Sequence, residues 1–338
     1  FRIAIPFNHM AFMQPSAPFG KVILALLYIL PVSFIIVFFT SSFMDEKINR
    51  RLTILMSTPV SPFQIIVGKM LPYITIGLVG TALIASISGG KVLTALLIFA
   101  PAMAFLFAIY LMVPMFYRTF KDITFISMLV STTTTAYLVF PAMFTGLSDL
   151  AYMSPLTLAV KMYNGETFGW REYLFPSLPM VGIFVLAVFA SSRLLNEEFL
   201  MGYRPITRKV AEAIYLILDR DHPYISVMLL SLMIIPIVYM MQLVVLVIAT
   251  NLPFRMVLVV ILVGAVFIEE IAKSMGIVVL YRNGIILSTR QLLLLSFLSG
   301  LGFLIGEKTL VFASVSFVSE SALGGAMFSS GPLLLIPL

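Results

Sequence analysis

The sequence predicts an all-α, polytopic bundle of transmembrane helices, and three observations predict it. Of its 338 residues, 61% are hydrophobic. Only 11% are charged, whereas soluble domains carry roughly a quarter. Mean hydropathy is +1.09, and the apolar residues fall into long runs separated by short polar stretches. A helix crosses the bilayer's hydrocarbon with about 20 apolar residues, so the chain has room for about nine spans. The lipid bilayer is therefore its first partner. The formal net charge of +6 reads as basic loops on one side of a membrane, not as nucleic-acid binding. There is no cysteine, and His9 and His222 are the only histidines. This excludes disulfides and thiolate chemistry and argues against a His-rich metal site. Nothing calls for a metal or a cofactor.

Taken in order, spans are predicted at 21–43, 65–88, 92–117, 122–145, 174–195, 224–250, 255–281 and 294–317, with a ninth beginning near 325. The first gives out at the charged run "MDEKINRR". Pro59 and Pro62 separate that run from the second span, because proline lacks the backbone N–H that a helix interior needs. Gly89-Gly90-Lys91 turns the chain into the third span, and "YRTFKD" turns it into the fourth. Residues 146–173 read as a longer polar loop holding the single Trp170. Residues 196–223 are the most charged stretch and read as a cytoplasmic linker between two membrane domains, 1–195 and 224–338. The chain opens on Phe1 and stops in an apolar run at Leu338, so both ends are expected to be cut from a longer protein.

The basic residues set an orientation. Lys47, Arg50 and Arg51 fall in one loop, Arg118 and Lys121 in the next but one. Arg193, Arg204, Arg208 and Lys209 fall in the linker, and Arg282 and Arg290 after the seventh span. If every span crosses once, all four groups share a side, which the positive-inside rule makes the cytoplasm. The setting is a cell membrane.

The stretch 44–72, "MDEKINRRLTILMSTPVSPFQIIVGKMLPY", places Met44, Ile48, Leu52 and Leu55 at helical spacing, with charges on the other face. That pattern predicts a helix lying in the membrane interface. The run Glu46-Lys47, Arg51-Leu52-Thr53, Thr58-Pro59-Val60 and Gly68-Lys69, with the later "SPLT" at 154–157, resembles the signature of type-2 ABC-transporter permeases. The resemblance covers roughly 1–195. It implies that Glu46, Arg50 and Arg51 sit where a separate ABC ATPase subunit docks, and that the chain works as a homodimer. Arg51 stands where that family has glycine. The chain has no phosphate-binding G-x-x-x-x-G-K-[ST] loop of its own, so ATP hydrolysis would fall to the partner. "STTTTAY" (131–137) places small hydroxyls inside a span, which suits close helix packing; a polar translocation path is the other reading.

The stretch "VFIEEIAKSMGIV" (266–278) puts Glu269, Glu270 and Lys273 in the middle of a span. Each such charge costs roughly 2.5–3.5 kcal/mol on insertion scales, so the group must face a partner or water. Glu269 and Lys273 are four apart and share a helix face. Glu307 and Lys308 lie near the centre of the next span, and equal depth for Glu269 and Glu307 requires "RNGIILSTRQLL" to be largely interfacial. Gly300, Gly302 and Gly306 allow a close helix approach. Acids brought together around a lysine make a poised general base. Glu269-Glu270-x-x-Lys273 followed by Phe303-x-x-x-Glu307 resembles the paired motifs of the PrsW family of glutamate intramembrane proteases, kin to the CAAX prenyl proteases. The resemblance covers about 225–338. It implies that Glu269 activates water, that Glu270 and Lys273 support it, and that Glu307 is a second polar partner. The family's third motif, a histidine with an acid, is expected beyond Leu338.

Together these readings predict a glutamate protease embedded in the membrane and fused to an exporter-like permease, acting on a membrane-protein or peptide substrate. The alternatives are a permease subunit whose second half is regulatory or an ion path, and a scaffold without catalysis.

Overall fold

The computed structural model describes residues 19–318, apart from 144, 146–148, 203, 250–251 and 287. It is 85% helical and has no strands among the described residues. Among the described residues, seven helices are long and apolar enough to cross a membrane, with Pro223–Leu246 counted as one. The fold class is thus an all-α polytopic bundle. The ninth span near 325 and His9 lie outside the described residues.

The first half is built from α1 (Phe19–Ile48), α2 (Arg51–Met56), α3 (Pro62–Ile87), α4 (Val92–Phe116), α5 (Phe120–Ala142), α6 (Leu156–Asn164) and α7 (Trp170–Leu194). Helix α4 is the most apolar and sits at the centre, against α1, α3, α5 and α7. The predicted interfacial helix over 44–58 is two pieces. α1 runs on to Ile48, Arg50 takes a left-handed conformation at φ 56, and α2 begins at Arg51. The apolar stripe is divided with it: Met44 and Leu52 are buried, while Ile48 is exposed. Ser61 and Gln64 form a capping box that starts α3 right behind Pro59, which pairs two otherwise orphaned N–H groups.

The loop predicted over 146–173 is largely folded. A 3-10 turn, Asp149–Met153, leads into α6, whose Leu156 to Val160 are all buried. The "SPLT" residues hold this cap together. Ser154 Oγ donates to the Leu138 carbonyl and accepts from Leu156 N, and Thr157 Oγ1 donates to the Ala151 carbonyl. Lys161 pairs with Glu172 of α7 at 2.9 Å, and Tyr152 donates to the same carboxylate.

The linker is also helical, as α8 (Glu197–Met201) and α9 (Ile206–Ile217). Phe199, Leu200 and Lys209 are buried. The second half follows as α10 (Pro223–Met233), α11 (Ile235–Ala249), α12 (Phe254–Arg282) and α13 (Thr289–Val318). The sixth predicted span is therefore broken at Ile234, where Pro236 in the first turn of α11 denies a hydrogen bond to the helix before it. α12 has the length to cross a membrane, but its mid-helix charges keep it from being apolar enough. α7 packs on α11 and α13, and one hydrophobic core runs through both halves.

The basic loops do gather at one end. Lys47 Nζ donates to the Pro114 and Tyr117 carbonyls at 2.6 and 2.8 Å, and Lys209 Nζ donates to the Phe116 carbonyl at 3.0 Å. The end of α12 near Arg282 joins them through Leu280, packed with Ile214 and Leu218. At the opposite end, the hydroxyls of Tyr28, Ser88 and Tyr163 meet.

Candidate functional site

α12 and α13 form a hairpin whose turn is fixed by sequence. Gly284, at φ +72, follows the last turn of α12. Ile285 N bonds the Leu280 carbonyl and Gly284 N the Tyr281 carbonyl, the double closure that favours glycine at this position. Ser288 and Gln291 then cap the start of α13 reciprocally, at 3.2 Å each way. This early start corrects the expected equal depth. With a rise of about 1.5 Å per residue, Glu269 stands roughly 20 Å from the Arg282 end of its helix, and Glu307 roughly 27 Å from the start of α13. Phe303 is level with Glu269, and Glu307 lies one turn further on.

Between the two helices is a cleft of about 480 Å³, lined by Glu269, Lys273, Phe303, Glu307 and Lys308 among others. Glu269 is buried. Its Oε1 accepts from Gln242 Nε2 of α11 at 3.0 Å, and its Oε2 lies 3.5 Å from Lys273 Nζ. Lys273 also pairs with Glu270 at 3.1 Å and rests over the Phe303 ring, 4.6 Å from its centroid. Glu307 lies within electrostatic range of Glu269, Lys273 and Lys308. Thus Glu269, Lys273 and Glu307 come together. Glu270 does not reach the cleft: its side chain is 67% exposed, and it acts there only through Lys273.

Small side chains hold the walls. Ser299 Oγ bonds the Lys273 carbonyl at 2.7 Å and the Ser231 hydroxyl at 2.8 Å, linking α13 to α12 and α10. Gly302 and Gly306 press on the backbone of α10. A Cβ at Gly302 would stand 2.2 Å from the Met228 carbonyl oxygen, and one at Gly306 3.1 Å from that of Leu232. Gly300 has nothing near it. Sequence reasoning missed Gln242, Ser299 and Ser231, because each matters only through a partner on another helix.

A carboxylate held by an amide and an ammonium, beside a cleft lined by a second acid and a second lysine, can take a proton from water and stabilise negative charge nearby. Among the described residues, no group of three His, Asp or Glu side chains is arranged to hold a metal ion.

The three residues of the predicted docking site are not alike. Glu46 is half-buried in α1 and ion-paired with Lys69 of α3. Arg50 and Arg51 are exposed at the α1–α2 break, with Arg51 3.9 Å from Asp45. The hydroxyls of Thr132, Thr133 and Thr134 each bond a carbonyl four residues back in α5, at 2.7–3.0 Å. They therefore offer little to a polar path. Thr132 and Thr133 are exposed, whereas Thr134 is buried and Ser131, Thr135 and Tyr137 are partly buried.

What the fold and site define is an all-α bundle of membrane-type helices with a polar cleft at mid-helix. No family model matches this chain, and no curated protein or solved structure matches it.

Proposed function

We propose that this chain is a glutamate protease embedded in the membrane and joined to an ABC-exporter-like permease. The observation that carries the reading is the cleft between α12 and α13, on which Glu269, Lys273 and Glu307 converge. In this reading Glu269 accepts a proton from a water in the cleft. The resulting hydroxide attacks the carbonyl carbon of a peptide bond. The oxyanion is met by Lys308 and by Glu307 when protonated. Glu269 then returns the proton to the leaving amine, and the C–N bond breaks. Gln242 fixes the carboxylate, and Lys273 balances its charge while Glu270 holds Lys273 from outside the cleft. The substrate is a membrane protein or peptide. The membrane is the cell membrane, with the end bearing Lys47, Arg118 and Lys209 in the cytoplasm.

Cleavage of fluorogenic membrane peptides by the purified protein in lipid tests this. Glu269→Gln keeps the shape and the Gln242 contact but removes the base, so the rate falls at least a hundredfold. Equal rates for wild type and variant would remove the reading.

The second reading is a permease subunit of an exporter with a separate ATPase, working as a homodimer. Exposed Arg50 and Arg51 favour it. Glu46 drops out of the contact, since Lys69 holds it. Copurification of an ATPase that is lost in Arg50→Glu would support this reading, and it is compatible with the first.

A further inference from the structure

A second cavity, of about 600 Å³, lies where the two halves meet, between α4, α5 and α7 on one side and α9 to α12 on the other. It falls within the roughly 300–1,000 Å³ range of small-molecule sites. Its walls are apolar except for Thr133, Thr134 and Tyr137. Those three hydroxyls donate to the carbonyls of Leu129, Val130 and Met153. The walls thus have no donor to spare, and a cavity of this kind stays dry. Its exposed lining residues are Thr133 of α5 with Met241 and Val244 of α11, which open it on the flank of apolar helices, and Val210 of α9, which opens it near the basic end. What enters from the apolar flank is hydrocarbon.

One end of the cavity is cationic. The lining residues Phe116, Leu194 and Val210 stand within two residues of Arg118, Arg193 and Lys209 in the chain. Lys209 bonds the Phe116 carbonyl, Lys47 bonds its neighbours, and Lys47, Lys209 and Arg118 lie within electrostatic range of one another. Arg204 is neutralised by Glu198 and Glu212 at 3.0 and 2.5 Å. Among the described residues, Lys47, Arg118, Arg193 and Lys209 form no ion pair with a carboxylate. The two lysines are committed to carbonyls, whereas Arg118 and Arg193 are exposed. Glu212 lies within electrostatic range of Lys209, so the exposed Arg118 and Arg193 carry the charge left for a ligand, and an apolar slot that ends near them matches a molecule with a hydrocarbon tail and an anionic head.

We propose that this cavity binds one acyl chain of an anionic glycerophospholipid, with its phosphate against Arg118 and Arg193. The site joins the halves, so the lipid is a structural ligand of their interface. The inference does not rest on protease activity.

The test is native mass spectrometry of the full chain in detergent, titrated with dioleoylphosphatidylglycerol or dioleoylphosphatidylcholine. One phosphatidylglycerol is retained, about 25-fold in preference to phosphatidylcholine, since each of the two basic residues near an anionic headgroup is worth roughly fivefold. Arg118→Gln with Arg193→Gln, both at exposed positions, brings the two lipids to parity. Ala187→Phe fills the slot and removes both, and the unfolding temperature shows whether that variant still folds. Inorganic phosphate in excess leaves the lipid in place. Equal retention of both lipids by wild type, unchanged preference in the double variant, or displacement by phosphate alone would overturn the proposal.

Discussion

Two buried ionisable groups, Lys47 and Glu269, are satisfied in opposite ways. Lys47 is 1% exposed and ends on two main-chain carbonyls where α4 runs out of donors. Its hydrogen-bond partners are main-chain carbonyls. Glu269 is 8% exposed, and the side chains of Gln242 and Lys273 hold it on the wall of a cleft. A charge tied to backbone cannot change partners without moving a helix, so Lys47 is part of the frame. A charge tied to side chains beside open volume can exchange a partner for water or substrate. The sequence placed Glu269 inside an apolar span and Lys47 in a charged run at the end of one; in the fold, the kind of partner separates frame from site.

That contrast breaks first at the helix contact that supports the cleft. Gly302→Leu drives a side chain into the Met228 carbonyl. Overpacking of this kind costs about 1–3 kcal/mol or more, and here the obstacle is backbone. We expect loss of the folded α10–α13 pair, seen as proteolysis of the second half in lipid. Gly300→Ala, with open space around it, leaves the fold intact.

Lys47→Met comes next. It removes two charge-assisted hydrogen bonds and strands carbonyls at the α4 terminus, at about 1–3 kcal/mol for each group left unsatisfied. Thermal unfolding in detergent should shift down by several degrees. Glu269→Gln, in contrast, should leave the unfolding temperature nearly unchanged while it abolishes cleavage. If the two variants were equally destabilised, the distinction between frame and site would be lost.

A smaller effect belongs to Lys209, outside the membrane-spanning helices. Burial pushes its ammonium below lysine's ordinary value. A lysine whose folded value lies below its unfolded one binds fewer protons when folded, between the two values. Stability contributed through this group therefore rises with pH across that window, up to about 10.4. Lys209→Met should flatten the alkaline part of a stability–pH curve. Least of all, Arg51→Glu disturbs only an exposed 3.9 Å pair with Asp45, worth at most about 1 kcal/mol. It should leave unfolding unchanged and register only if a partner docks there.

Much of the bundle was legible because long apolar runs leave few alternatives to helices in lipid. The breaks were less so. Arg50 at positive φ gives no composition signal, since arginine is an ordinary helix former. Pro236 does give one, yet it fell in an apolar run long enough to read as a single span. The site was legible at Glu269, Lys273 and Glu307, where mid-span charges stand out against apolar neighbours. Gln242 was not, because a lone amide in a span has no periodicity to betray its partner. Lys47 was placed among solvated charges of the same helix; its inward turn depends on where α4 ends, which is a tertiary fact. The depth of Glu307 turned on where Ser288 starts α13.

The central claim is that Glu307 and Glu269 face water within the membrane. The chain has no cysteine, so a single introduced thiol reports on its own surroundings. Glu307→Cys, compared with Leu293→Cys on the exposed apolar face of the same helix, can be labelled in vesicles with a water-soluble maleimide. The account predicts rapid labelling at 307 and little at 293. A thiol at 307 that stays unreactive while the folded protein is intact would contradict it.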